Sequence, residues 1–418
     1  MRYRLNHVEI IDPNSTWNHK TKDIIIDEGV IREAQKSDQA EVVIEAKGLH
    51  LLPALCETYA SIGDPGHEYR EDIQSVSAAA AHGGVTSIYA IADNIPVTDN
   101  KTHVEYIVKS TQDNLVQIWP MGAVTEQLKG SDPTEMYDMH YAGAVGFSDA
   151  PHSINNSGVL LRALQYASPF EGVISVIPYD NQISREGQIN EGKISVEMGM
   201  KGIPHMAEYL RIHRDIELLA YAGGHLHING VSTAEGVDLI KKAKARGLHV
   251  TASVFLHNLL FTEESVQGFD TNYKVFPPLR TSKDQKVLLK AVKDGSIDLV
   301  STQHVPLDTE SKRLEFEYAL PGMANIEFAF AIAWKALGGD LEQIVESFSI
   351  RPRAIFNRKV ATIEPGVVAN VILVDTKETY TIPEALRKSK SANSPFYGQQ
   401  LQGQVKAVFN NGQSLRYE

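Results

Sequence analysis

The chain has 418 residues, a formal net charge of -12 at neutral pH and a single cysteine, Cys56. This acidic balance, without a stripe of clustered Lys or Arg, excludes a nucleic-acid-binding surface, and one cysteine excludes an intramolecular disulfide framework. No apolar run approaches membrane-spanning length and Met1-Arg2-Tyr3-Arg4-Leu5 is no secretory leader, so the expectation is a cytoplasmic protein with no membrane association.

Residues 1–50 read as short strands broken by turns. Val8-Glu9-Ile10-Ile11 stops at Asp12-Pro13-Asn14, Asp23-Ile24-Ile25-Ile26 at Asp27-Glu28-Gly29, and Val42-Val43-Ile44-Glu45 at Lys47-Gly48. Residues 360–418 have the same character, with apolar runs at 369–375 and 405–409 before Asn410-Asn411-Gly412. The two ends are predicted to pair into one small β-sandwich domain, which leaves 51–359 as a second, larger domain.

In that middle, strands expected at 51–57, 86–92, 116–120, 144–147, 173–177, 225–228, 249–254 and 297–301 alternate with helices at 69–82, 101–114, 134–142, 157–167, 202–222, 233–246 and 284–294. Eight strands with intervening helices fit a (β/α)8 TIM-type barrel better than an open doubly wound sheet. The absence of Gly-x-Gly-x-x-Gly after the first strand also disfavours a dinucleotide fold. Such a barrel does its chemistry at the C-terminal ends of its strands. There the first strand carries Tyr59 and Ser61 on one face, and hydroxyls that stay protonated near neutral pH are poor metal ligands. Cys56, flanked by apolar residues, reads as a small buried hydrophobe, and Lys241, Lys242, Lys244 and Arg246 as a solvated helix face.

Several motifs stand in a telling order: Leu52-Pro53 through Asp64-Pro65-Gly66, Ala81-His82-Gly83-Gly84-Val85-Thr86, Asp93-Asn94-Ile95-Pro96, Gly146-Phe147-Ser148-Asp149, His227-Ile228-Asn229-Gly230-Val231-Ser232-Thr233, Pro277-Pro278-Leu279-Arg280 and Thr302-Gln303-His304-Val305-Pro306. Over nearly the whole chain this order resembles the dihydroorotases of the amidohydrolase superfamily. The resemblance implies a barrel of the metal-dependent hydrolase type, in which one or two zinc ions activate a hydroxide for attack on a cyclic amide.

Matched position by position, however, the ligands are gone. The resemblance puts Tyr59 and Ser61 where His-x-His is expected, Ile177 and Gly230 where single histidines are expected, and Gln303 where the aspartate of the last strand is expected. Of the ligand set Asp149 remains. Among substrate contacts, Gly63 replaces an arginine and Asp93 an asparagine. No catalytic residue, metal or other cofactor is therefore expected. The resemblance is to non-catalytic members of the family that associate with aspartate carbamoyltransferase catalytic chains, and it implies a homo-oligomer, a dimer. The alternative is an active zinc-dependent cyclic amidohydrolase with relocated ligands, drawn from Asp149, His225, His227, His257 and His304. In that frame Arg280 reads as structural, and residues 309–313 as a loop after the eighth strand.

Overall fold

The computed structural model describes residues 1–417. Residues from both chain ends build one eight-stranded β system. Its hydrogen-bonded path runs Gln413–Arg416, Gln400–Asn410, Val371–Thr381, His50–Pro53, Arg2–Ile10, Thr21–Asp27 and Val30–Glu33, with Val42–Glu45 paired in parallel to Arg2–Ile10. Arg2–Ile10 shows why the ends join. Tyr3 and Leu5, then Val8 and Ile10 after an irregularity between Leu5 and Val8, turn into a core with Ile24, Leu51, Leu373 and Phe409. This is the β-sandwich expected from the sequence. The apolar run at 51–57 is not one barrel strand, however. His50–Pro53 pairs with Val371–Val374 in the sandwich, and the barrel strand starts only at Leu55.

The barrel strands in chain order are Leu55–Ala60, Val85–Ala90, Gln117–Pro120, a minimal fourth at Phe147, Val173–Val176, His225–Ile228, Val250–Phe255 and Leu299–Ser301. All pair in parallel. Phe147 bridges Gly122 on one side and Ile174 on the other, and the bridge from Ala60 to His304 closes the ring. Parallel strands covered on both faces are continuous apolar runs, and six of the eight, the minimal one at Phe147 included, are buried at every position. The expected 144–147 strand shrinks to Phe147 because only that residue makes strand bridges.

The outer helices fall near their expected positions and start at side-chain caps. Asp72 and Ser75 form a reciprocal capping box before Ile73–His82, and Thr233 caps Ala234–Ala245. On the latter, Lys241, Lys244 and Arg246 reach Asp294, Asp298 and Glu217, so the basic run is a face of ion pairs. Cys56 is buried, and burial pushes its thiol up to about 11, far from nucleophilic range. Among the described residues no helix is long and apolar enough to cross a membrane.

Candidate functional site: the barrel mouth

At the C-terminal ends of the strands, Tyr59, Ile91, Ala150, Ile177, Tyr179 and Phe255 form one buried apolar cluster. The Tyr59 and Phe255 rings meet edge to face, with centroids 5.3 Å apart. Burial pushes the Tyr59 phenol well above its ordinary range, with nearby Asp93 acting in the same direction, so its oxygen stays protonated. Gly230 has φ +73, and a Cβ there would lie 2.3 Å from Cε2 of Phe255. The Phe255 ring thus occupies the space any side chain at 230 would enter. Gln303 donates from Nε2 to the Phe276 carbonyl at 2.7 Å, and the Phe276 ring packs on Tyr179 at 4.4 Å. Tyr59, Ile177, Gly230 and Gln303 are therefore brought together, around packed side chains.

The remaining positions are placed differently. Gly63 has φ +71, and a Cβ would sit 2.2 Å from the Glu71 carbonyl oxygen, so no arginine fits that backbone. Ser61 donates its backbone N–H to the His304 carbonyl at 2.9 Å. Burial pushes the half-buried Asp93 carboxyl up to about 6, with Ser61 pulling the other way. Asp149 is buried and turned from the cluster: Oδ1 accepts from the Val124 and Thr125 backbone N–H groups at 2.8 and 2.9 Å, and Oδ2 from the Thr125 hydroxyl at 2.5 Å. Its carboxylate is spent on holding that loop.

The four histidines do not assemble. His225 is the first residue of its strand and so lies at the opposite, N-terminal face. It stacks on His249 at 3.9 Å and lines a cavity of about 590 Å³ there. His227 is fully buried, with Nδ1 on the Thr251 hydroxyl at 3.0 Å and Nε2 without a partner among the described residues. Burial lowers these two imidazoles to about 4 and about 3. His304 is clamped between Glu71, at 3.3 Å from Nε2, and the Ile326 N–H. His257, two residues after Phe255, is buried with neither nitrogen bonded among the described residues, and is lowered by burial to about 3.

Arg280 ties Tyr179, Asn190, Ile203 and Ser232 together from a buried position, as a structural residue does. The expected loop at 309–313 is a short helix, Thr309–Lys312. The Lys312 ammonium is buried against the carbonyls of Thr271, Leu320 and Gly322, and burial lowers it to about 7.

Sequence reasoning missed two features of this end. One is Phe255, whose partner Gly230 lies on another strand. The other is a group on the outer rim where helices begin: His205, Glu235 and Asp284, each offering a ligand atom within 4.8 Å of the others. His205 Nδ1 lies 3.4 Å from Glu235 and Nε2 3.7 Å from Asp284.

The fold is that of the amidohydrolases. L-Hydantoinase (dihydropyrimidinase) from Arthrobacter aurescens superimposes with a TM-score of 0.86 at 22% identity over 99% of this chain and 96% of its own. The dihydropyrimidinase from Brevibacillus agri NCHU1002 does so at 0.83 and 21%, over 100% and 95%. Residues 48–236 match the dihydro-orotase-like family and residues 186–415 the amidohydrolase family. Among curated relatives, the dihydroorotase of Ruminiclostridium cellulolyticum is 38% identical over 99% of this chain and 98% of its own. That of Syntrophus aciditrophicus is 35% identical over the whole of both. The chain belongs to the dihydroorotase family within the amidohydrolase superfamily.

Members of this superfamily typically use a metal, which the donors of the mouth would have to hold. A catalytic zinc takes about three protein ligands from imidazole, thiolate or carboxylate. The mouth supplies a protonated phenol, an amide already bonded to a carbonyl, a carboxylate filled by three donors and, among the described residues, two groups with unpaired ligand atoms, the Asp93 carboxyl and the His257 imidazole, one short of a catalytic set. This set does not fit a zinc ion in the mouth.

Proposed function

We propose that this chain acts by binding and not by hydrolysis, as a dihydroorotase-family protein of pyrimidine biosynthesis that supports the assembly of aspartate carbamoyltransferase catalytic chains. The observation that carries the non-catalytic reading is the Phe255 ring seated over Gly230, with Tyr59 and Ile177 packed beside it. Apolar packing stands where charge would have to be handled. The partner and the dimeric state rest on the sequence resemblance. Zinc analysis of the purified chain paired with a dihydroorotase assay tests the reading. The expected result is well below one zinc per chain and no turnover; about two zinc ions with turnover would overturn it. The partner assignment fails if carbamoyltransferase of the same organism forms a full-size active assembly without this chain.

A second reading is hydrolysis of a cyclic amide through relocated zinc ligands. Two observations favour it: the curated relatives are themselves called dihydroorotases, and His205, Glu235 and Asp284 offer one imidazole and two carboxylates in mutual reach. On this reading His205→Ala strips both metal and activity, and a chelator does the same to the parent protein.

A further inference from the structure

Where the N-terminal face of the barrel meets the sandwich lies a cavity of about 300 Å³, lined among others by Tyr89, Trp119, Arg353, Arg358, Lys359 and Asn370. Three of these are cations. Arg353 is 2% exposed, and all its hydrogen bonds go to neutral acceptors: the Ala54 and Ser349 carbonyls at 2.9 Å, the Ser349 hydroxyl at 2.8 Å, and longer contacts to Leu55, Thr86 and Ser87. Arg358 lies with its guanidinium carbon 4.1 Å over the Trp119 ring and donates once, to the Gly143 carbonyl at 2.9 Å. Among the described residues neither arginine, nor Lys359, has a carboxylate within ion-pair reach, although the chain as a whole carries a net charge of -12.

Two neutral donors also line this space. Burial keeps the Tyr89 phenol protonated and so a donor, and among the described residues its hydroxyl, buried beside the Cys56 thiol, has no hydrogen-bond acceptor. Asn370 turns its Oδ1 to the Thr86 hydroxyl at 2.7 Å, and its amide nitrogen has no partner among the described residues. Arg358 is half-exposed and Lys359 exposed, which leaves both free to meet an incoming ligand, while the buried Arg353 charge without a counter-charge and the buried Tyr89 donor without an acceptor are each unfavourable and are relieved by one multiply charged oxyanion.

We infer that this cavity is an anion site for a phosphate monoester of small-metabolite size, with Arg358 and Lys359 facing its charge and Tyr89 and Asn370 donating to its oxygens. Guanidinium groups match the paired oxygens of phosphate, and the cavity is at the small end of the range for ligand pockets, about 300 Å³ upward. The site owes nothing to the barrel mouth, so it stands whether or not the chain hydrolyses a substrate.

The test is isothermal titration of the full chain with inorganic phosphate, glycerol phosphate and succinate. The expected result is saturable binding of both phosphate compounds at one site per chain, with succinate far weaker. Arg358→Gln, on a half-exposed side chain, should weaken phosphate binding about tenfold or more, with the protein still folded and its melting temperature lowered only by the lost Trp119 and Gly143 contacts. Tyr89→Phe should weaken it less, and Phe255→Leu at the far mouth not at all. Succinate binding as tightly as phosphate, no saturable binding of phosphate, or binding that survives Arg358→Gln would overturn the proposal.

Discussion

At one end of the barrel Tyr59, Ile177 and Phe255 pack against one another over Gly230; at the other, Arg353, Arg358 and Lys359 surround a cavity without a carboxylate to answer them. The same eight strands carry both ends. Of the two ends, the mouth is where this fold ordinarily keeps charged groups, and here it is closed by apolar contact. The base, whose usual role is stability, holds the cations that lack partners. Relatedness and site chemistry therefore have to be read separately, because the first follows the frame and the second follows a few side chains at strand ends.

The sharpest way to break this contrast is to cut into the plug. Phe255→Ala should destabilise the protein by about 3–5 kcal/mol in urea denaturation, as expected for emptying a packed aromatic site. A loss below about 1 kcal/mol would mean that the mouth is an open pocket and not a packed core. Next is the Lys312 cage beside the mouth. Lys312→Met removes a charged donor from three carbonyls and should cost about 1.5–3 kcal/mol, with faster amide exchange across 305–323.

Single buried groups at the two ends should also answer pH with opposite sign. Asp93 near the mouth has its folded-state value raised from 3.8 to about 6, so its contribution is present at low pH and is lost as pH rises from about 4 through 6. His225 and His227 toward the base are depressed from 6.5 to about 4 and about 3. Their contribution is present above 6.5 and is lost as pH falls toward 3. Stability measured by denaturation between pH 4 and 7 should accordingly lose part of its alkaline decline in Asp93→Asn, the rest belonging to other buried carboxyls such as Asp215. It should lose part of its acid decline in His227→Gln. The smallest effect belongs to the surface ion pair of Arg246 with Glu217: Arg246→Gln should shift stability by about 0.5 kcal/mol or less.

Much of the frame was legible because its signals are local. A strand such as Val173–Val176 is buried at every position and appears in the sequence as an uninterrupted apolar run. Asp72 announces the helix it caps. The 51–57 run misled because Ala54 alone separates a sandwich strand from a barrel strand, without any polar break. At the site, absent ligands were readable one position at a time, but what replaced them was not. Phe255 lies one residue beyond the expected strand, and nothing near it in sequence points to Gly230. Glu71 stands two residues before a helix, yet it is buried against His304, 233 residues away. The base cavity gathers Arg353 and Arg358 with Tyr89 and Asn370 from distant segments, so no motif announces it.

The glycine beneath Phe255 also restricts the mutational routes open to this chain. Gly230→His alone would drive its Cβ to 2.3 Å from the ring, while Phe255→Ala alone would leave a void. Each single step lowers stability before it can return anything, and a left-handed backbone at 230 adds to the first. A path back to a histidine-lined mouth would thus have to cross a fitness valley, with the phenylalanine removed before the histidine arrives. Directed evolution toward a hydrolase from this scaffold should begin with libraries that vary positions 230 and 255 together.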